Sequence, residues 1–116
     1  MKHYPIAPTP VTRLKYFSDK LGVNLLCKRD DLFPSAGGGN KARMLQYISA
    51  EVSRDNCEVL VTAGGPCSNF NRACAVMCAE HGIKMHLVEY TDNLEEFENS
   101  LNYKLVQLLG TRTTRC

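Results

Sequence analysis

A chain of 116 residues is at most one modest domain, and with 44% hydrophobic and 22% charged residues it can bury a core and lies far from a disordered composition. A net charge of +2 and the lack of any basic run interleaved with aromatics exclude nucleic acid and anionic membrane as partners. Met1-Lys2-His3-Tyr4-Pro5-Ile6 has neither an apolar segment nor a small-residue cleavage site, and no apolar run approaches the ~20 residues of a membrane span, so a cytoplasmic protein is expected.

Pro5, Pro8 and Pro10 make the lead-in extended. From Val11 to Leu21 the apolar residues Val11, Leu14, Phe17 and Leu21 recur every three or four positions, which predicts a short helix closed by Gly22. Val23 to Lys28 reads as a short strand that runs into the charged cluster Lys28-Arg29-Asp30-Asp31. That cluster is either a solvated turn or a clasp whose acids bind the backbone amides of the glycine loop that follows. Next comes Gly37-Gly38-Gly39-Asn40-Lys41-Ala42-Arg43, opening a helix with an apolar stripe at Leu45, Ile48 and Val52. Lys41 falls in the first turn of that helix. There the positive end of the dipole and Arg43 both disfavour an ammonium ion, and a neutral amine is what a Schiff base with an aldehyde requires.

Arg54-Asp55-Asn56 reads as a turn, and Glu58 to Thr62 as a buried strand running directly into Ala63-Gly64-Gly65-Pro66-Cys67-Ser68-Asn69. A strand that ends in glycines and passes into a helix is where ligands bind in parallel α/β sheets. The helix Asn69 to His81 is apolar on nearly every side, which predicts that it is sandwiched between other elements; Gly82 closes it. Ile83 to Val88 is the next strand, with His86 toward a polar edge or in a satisfied core position. Asp92 or Asn93 caps a last helix from Leu94 to Leu109 with a stripe at Leu94, Phe97, Leu101, Leu105 and Leu108, Gly110 ends it, and Thr111 to Cys116 opens another strand. The six cysteines contain no Cys-x-x-Cys pair and read as free thiols; Cys74 and Cys78, four apart on one helix face, read as small buried hydrophobes rather than metal ligands. Alternating strands and helices imply the α/β class: a three-layer arrangement around a mostly parallel sheet with helices on both faces.

Pro8-Thr9-Pro10-Val11, Lys28-Arg29-Asp30-Asp31-Leu32, Gly38-Gly39-Asn40-Lys41-Ala42-Arg43 and Gly64-Gly65-Pro66-Cys67-Ser68-Asn69, in this order, resemble the N-terminal third of the fold-type II pyridoxal-phosphate enzymes of the 1-aminocyclopropane-1-carboxylate deaminase and D-cysteine desulfhydrase family. The resemblance covers nearly the whole chain. It implies a pyridoxal 5'-phosphate cofactor, a small amino-acid substrate and a homodimeric parent enzyme. It matches Lys41 to the lysine that holds the cofactor as an internal aldimine and later shuttles a proton. It matches Asn69 to the residue that hydrogen-bonds the cofactor ring oxygen, and Ser68 to the serine that contacts the substrate or its carboxylate. Asn40, inside the lysine motif, is a further cofactor-binding expectation; no metal is implied.

Cys67 stands where the family has glutamine and Phe70 where it has histidine or another polar residue, so substrate contacts are expected to differ. The family's phosphate cup, its group facing the pyridine nitrogen and its substrate-side tyrosine lie beyond the equivalent of Cys116. Residues 1–116 are therefore expected to be a single α/β unit, lead-in plus small domain, without the C-terminal cofactor domain, and inactive by itself. Two other readings compete. Gly37-x-Gly39-x-x-Ala42 fits a loose dinucleotide fingerprint, but no strand leads directly into it, and Ala42 after Lys41 breaks the P-loop pattern. The other is a truncated, inactive α/β domain that binds no cofactor alone or pairs with another chain.

Overall fold

In the computed structural model, which describes residues 8–90, 95 and 99–116, the elements are β1 (Val11–Arg13), α1 (Lys15–Leu21), β2 (Leu26–Lys28), a 3-10 turn (Asp30–Leu32), α2 (Gly39–Arg54), β3 (Val59–Gly64), α3 (Asn69–His81), β4 (Lys84–Glu89), α4 (Leu101–Leu108) and β5 (Arg112–Arg115). The class is α/β, with a parallel sheet ordered β3-β4-β5. Its register pairs Leu60 with Met85, Thr62 with Leu87, and Gly64 with Glu89, which in turn pairs with Arg115. The C-terminal ends of the three strands thus lie side by side at one edge of the sheet.

The first strand stands apart from this sheet. β2 pairs antiparallel with β1, Val11 opposite Lys28 and Arg13 opposite Leu26. The helix expected from Val11 to Leu21 is accordingly a strand followed by a helix that starts at Lys15. Its apolar spacing reflects no buried stripe: Val11, Phe17 and Leu21 are more than half exposed. The buried residue of α1 is Ser18, which ties the reversal together by accepting from the Leu25 amide at 3.0 Å. Gly22 closes α1 in the left-handed region, as its position predicted.

α3 is the centre of the core, and its bounds are those the sequence predicted. Ala73, Cys74, Ala75, Met77 and Cys78 are buried, and the helix packs on α2, α4, β3 and β4. Small side chains on every side let four elements approach one helix. From the sheet, Met85 and Leu87 meet it on alternate positions of β4. β3 is half-buried on this face, through Leu60 and Thr62, and open on the other, where Val59 is 47% and Val61 64% exposed. His86 lies at a polar position, its Nε2 2.9 Å from Thr114 Oγ1 on β5.

The final helix corrects the sequence reading. Asp92, Asn93, Leu94 and Phe97 lie outside the described residues. α4 starts after Ser100, whose Oγ accepts from the Tyr103 amide as an N-cap. Val106 is its buried residue and Leu109 packs on the core, whereas Leu101 and Leu108 are more than 80% exposed. The face is set by what the cap must reach, described below, and the leucine spacing is overridden.

All six cysteines are free thiols. Burial pushes the Cys74 thiol up to about 12 and the Cys78 thiol to about 11, so both are protonated hydrophobes at neutral pH. Among the described residues no group of His, Cys, Asp and Glu could hold a metal, and no helix is long and apolar enough to cross a membrane.

Candidate active site

Two loops carry the residues singled out by the sequence. The first runs from the 3-10 turn into α2. Ala36, Gly37, Gly38 and Gly39 all have positive φ, between 50° and 84°, so four consecutive residues sit in the left-handed region that glycine tolerates and alanine resists. Gly38 is fixed there by two demands. Its amide donates to the Ser35 carbonyl at 3.0 Å, and a Cβ on it would stand 2.9 Å from the Asp31 carbonyl oxygen. The loop then turns into α2 with Asn40 exposed and Lys41 half-buried as its second and third residues. Lys41 is therefore in the first helical turn, where the sequence put it.

The acids of Lys28-Arg29-Asp30-Asp31 do not clasp the glycine amides. Asp31 pairs with its neighbour Arg29 at 2.7 Å and stays exposed. Asp30 instead gathers three donors on Oδ1: Thr9 Oγ1 at 2.6 Å, Arg43 Nη2 at 2.9 Å and Lys28 Nζ at 3.2 Å. Arg43 also donates to Thr9 Oγ1 at 3.1 Å and to Gln46 Oε1 at 3.1 Å, and its guanidinium lies 4.5 Å over the Phe33 ring. Lys28 Nζ also donates to the Thr9 hydroxyl and, at 3.0 Å, to the Thr9 carbonyl. Arg43, then Thr9 and Lys28, hold the Asp30 carboxyl well below the usual carboxylate range. The lead-in, the end of β2 and the first turns of α2 are thereby tied together two residues from Lys41.

The second loop joins β3 to α3 through Gly65, Pro66, Cys67 and Ser68. Gly64 ends β3 under α3: a Cβ there would stand 2.7 Å from Asn71 Nδ2. Ser68 is the N-cap, its Oγ accepting from the Asn71 amide at 3.1 Å, which leaves its hydroxyl hydrogen to donate elsewhere. Asn69 is the first helical residue and is exposed. The start of α4 braces this corner. Ser100 Oγ donates to the Pro66 carbonyl at 2.7 Å, and Asn102 Nδ2 donates at 3.0 Å both to the Cys67 carbonyl and to Asn69 Oδ1.

The loops are neighbours. α2 packs on α3, and the Arg72 guanidinium of α3 lies against Gly37, where a Cβ would stand 2.5 Å from Nη1, so the glycine loop sits beside the helix that carries Ser68 and Asn69. A lysine on one helix mouth and a carboxamide with a serine hydroxyl on the adjoining one are groups of the kind that suit a pyridoxal ring, which takes an amine at its aldehyde and a donor at its phenolic oxygen. The sequence reading missed Asn102 and Ser100. Ser100, followed by helix-forming residues, was an available N-cap signal, but the candidates at Asp92 and Asn93 pre-empted it.

Comparison with known proteins agrees with this geometry. Over residues 3–116 the chain matches the family model described as pyridoxal-phosphate dependent enzyme. The crystal structure of an ACC deaminase homologue superposes with a TM-score of 0.82 at 27% identity, covering 100% of this chain and 34% of that one. A hydrogen sulfide-producing enzyme from Fusobacterium nucleatum shares the fold, with a TM-score of 0.68 at 21% identity over 95% of this chain and 34% of that one. The chain thus spans about a third of the length of either solved relative. From residue 3 to residue 116 it belongs to the family of pyridoxal-phosphate dependent enzymes.

Proposed function

We propose that this chain is the lysine-bearing part of a pyridoxal-phosphate dependent lyase or deaminase acting on a small amino acid of the 1-aminocyclopropane-1-carboxylate or D-cysteine type. The supporting observation is the close approach of Gly37 to Arg72, which brings the helix mouth with Lys41 against the helix that starts at Asn69. When bound, the cofactor supplies an electron sink for a carbanion on the amino acid. Lys41 is the amine that carries the cofactor and afterwards holds or returns a proton at Nζ. Asn69 donates from its carboxamide to the ring oxygen, Asn40 lines the cofactor from the turn before Lys41, and the Ser68 hydroxyl receives the substrate carboxylate. The network of Thr9, Asp30 and Arg43 keeps α2 from shifting while Lys41 changes partners.

Support for the amino-acid class comes from the ACC deaminase homologue, which is similar over this whole chain. Because that relative is about three times longer, the 116-residue chain by itself is proposed neither to retain cofactor through gel filtration nor to turn over, and a homodimer is proposed for the whole enzyme. The alternative, a domain that serves by pairing with another chain, is favoured by one feature: Val59 and Val61 leave an apolar strip exposed on the sheet.

Reductive trapping tests the assignment. The chain is incubated with pyridoxal phosphate, treated with borohydride and mapped by mass spectrometry. Lys41 is expected to carry the adduct in clear excess over Lys15, Lys20, Lys84 and Lys104, and Lys41→Ala to abolish that excess. Uniform labelling of all lysines overturns the assignment.

A further inference from the structure

The contact between α4 and the β3–α3 corner decides something that packing alone cannot. A carboxamide is nearly symmetric in shape, its O and NH2 ends differing little in size, so which end faces a neighbour is chosen by hydrogen bonding. At this corner the choice is anchored by a group without ambiguity. The Cys67 carbonyl can only accept, so the end of Asn102 that lies 3.0 Å from it is the NH2. The same nitrogen lies 3.0 Å from the Asn69 side chain, and with its second hydrogen pointing there the Asn69 end that faces it is the oxygen. The two hydrogens of one NH2 are thus shared between two acceptors. Ser100, two residues earlier, holds the Pro66 carbonyl at 2.7 Å, so the brace is fixed at both ends of the corner.

With Oδ1 engaged by α4, the Asn69 NH2 is turned the other way, and Asn69 as a whole is exposed. We propose that Asn102 is a positioning residue: it orients the Asn69 carboxamide so that the NH2, and not the oxygen, is presented to the ring oxygen of the cofactor. The orientation stands on the Cys67 anchor alone; its use rests on the reading of Asn69 given above. A phenolic oxygen that carries negative charge attracts an N–H and repels a carbonyl oxygen, so a flipped Asn69 replaces an attraction with a repulsion.

Two substitutions separate orientation from mere support. In Asn102→Asp the carboxylate is nearly isosteric but can only accept, so Asn69 has to turn its NH2 toward α4. In Asn102→Ala the anchor is gone and Asn69 rotates freely. Side-chain amide spectra of the ¹⁵N-labelled chain, assigned with Asn69→Ala, read this without cofactor. The Asn69 carboxamide protons are expected to move downfield in Asn102→Asp, where they donate to a carboxylate, and toward solvent-exposed values in Asn102→Ala. The backbone amides of α3 report that both variants are folded. Unmoved Asn69 resonances in both folded variants overturn the orientation.

Trapping with pyridoxal phosphate and borohydride tests the use. The Lys41 adduct is expected to fall by about tenfold in Asn102→Asp, as for a lost hydrogen bond to a charged group, and by less in Asn102→Ala. Equal yields in the unsubstituted chain and Asn102→Asp, or equal losses in the two variants, overturn it. An unsubstituted chain that gives no preference for Lys41 defeats the functional assignment instead, and the spectra still decide the orientation.

Discussion

Asp30 shows how one carboxylate can tie three distant parts of the chain together. Its carboxylate holds Arg43, Thr9 and Lys28 on a single oxygen, and Arg43 sits in the same helical turn as Lys41. Because these donors favour the ionised form, the folded protein keeps Asp30 charged at pH values where the unfolded chain protonates it. A depressed folded-state value contributes stability that is complete above the ordinary carboxylate range and is lost as pH falls through the folded value. Asp30→Asn is therefore expected to lower Tm at pH 7. The gap to the parent chain should stay constant down to about pH 4 and narrow below it, where the unfolded carboxyl takes up its proton. Thermal melts of both proteins from pH 7 to pH 2 check this, and a gap independent of pH over that range would show that Asp30 acts by packing alone.

At the scale of elements, α3 does most of the organising. It is capped at Ser68, closed at Gly82, and contacts two helices and two strands, its fully buried side chains being no larger than Met77. Met77 is fully buried, so Met77→Ala leaves a hole that neighbours on several elements cannot all fill. A loss of about 2–5 kcal/mol in chemical denaturation is expected. A loss below about 1 kcal/mol would mean that the surrounding helices close up, and that the core is looser than its burial suggests. The same helix links the two proposed halves of the site, since Arg72 meets the glycine loop and Asn69 meets α4.

For the whole molecule the telling feature is the uncovered face of the parallel sheet. Parallel sheets are ordinarily covered on both faces, yet Val59 and Val61 are exposed while Leu60 on the other side packs on the core. The 116-residue chain is expected to self-associate with rising concentration through this strip. Val61→Lys, which places a charge on it, is expected to shift the sedimentation profile toward monomer without changing the fold. A chain that stays monomeric at high concentration before the substitution would argue that the strip is inert.

Local physics was legible from the residues alone. Glycines with a required backbone shape, a serine cap, a β-branched run and a helix of small apolar residues each act within a few positions. α3, the glycine loop and Lys41 in its first turn were therefore placed by the sequence, as were the parallel strands and the α/β class. The family could also be read from the order of those motifs, and the comparisons bear it out.

What the sequence left undecided depends on partners distant along the chain. Val11–Arg13 became a strand because β2 lies opposite it, against a helical spacing of its own apolar residues. The face of α4 was set by Ser100 and Asn102 reaching back more than thirty positions to Pro66, Cys67 and Asn69, against a competing leucine stripe. Asp30 joined Thr9 and Arg43 in place of the glycine amides. A short strand or a polar contact gains too little locally to declare itself, and only tertiary closure, which brings the second partner within hydrogen-bonding distance, selects among the alternatives. Sequence thus determined which loops carry the proposed chemistry; the folded chain decided how they are braced.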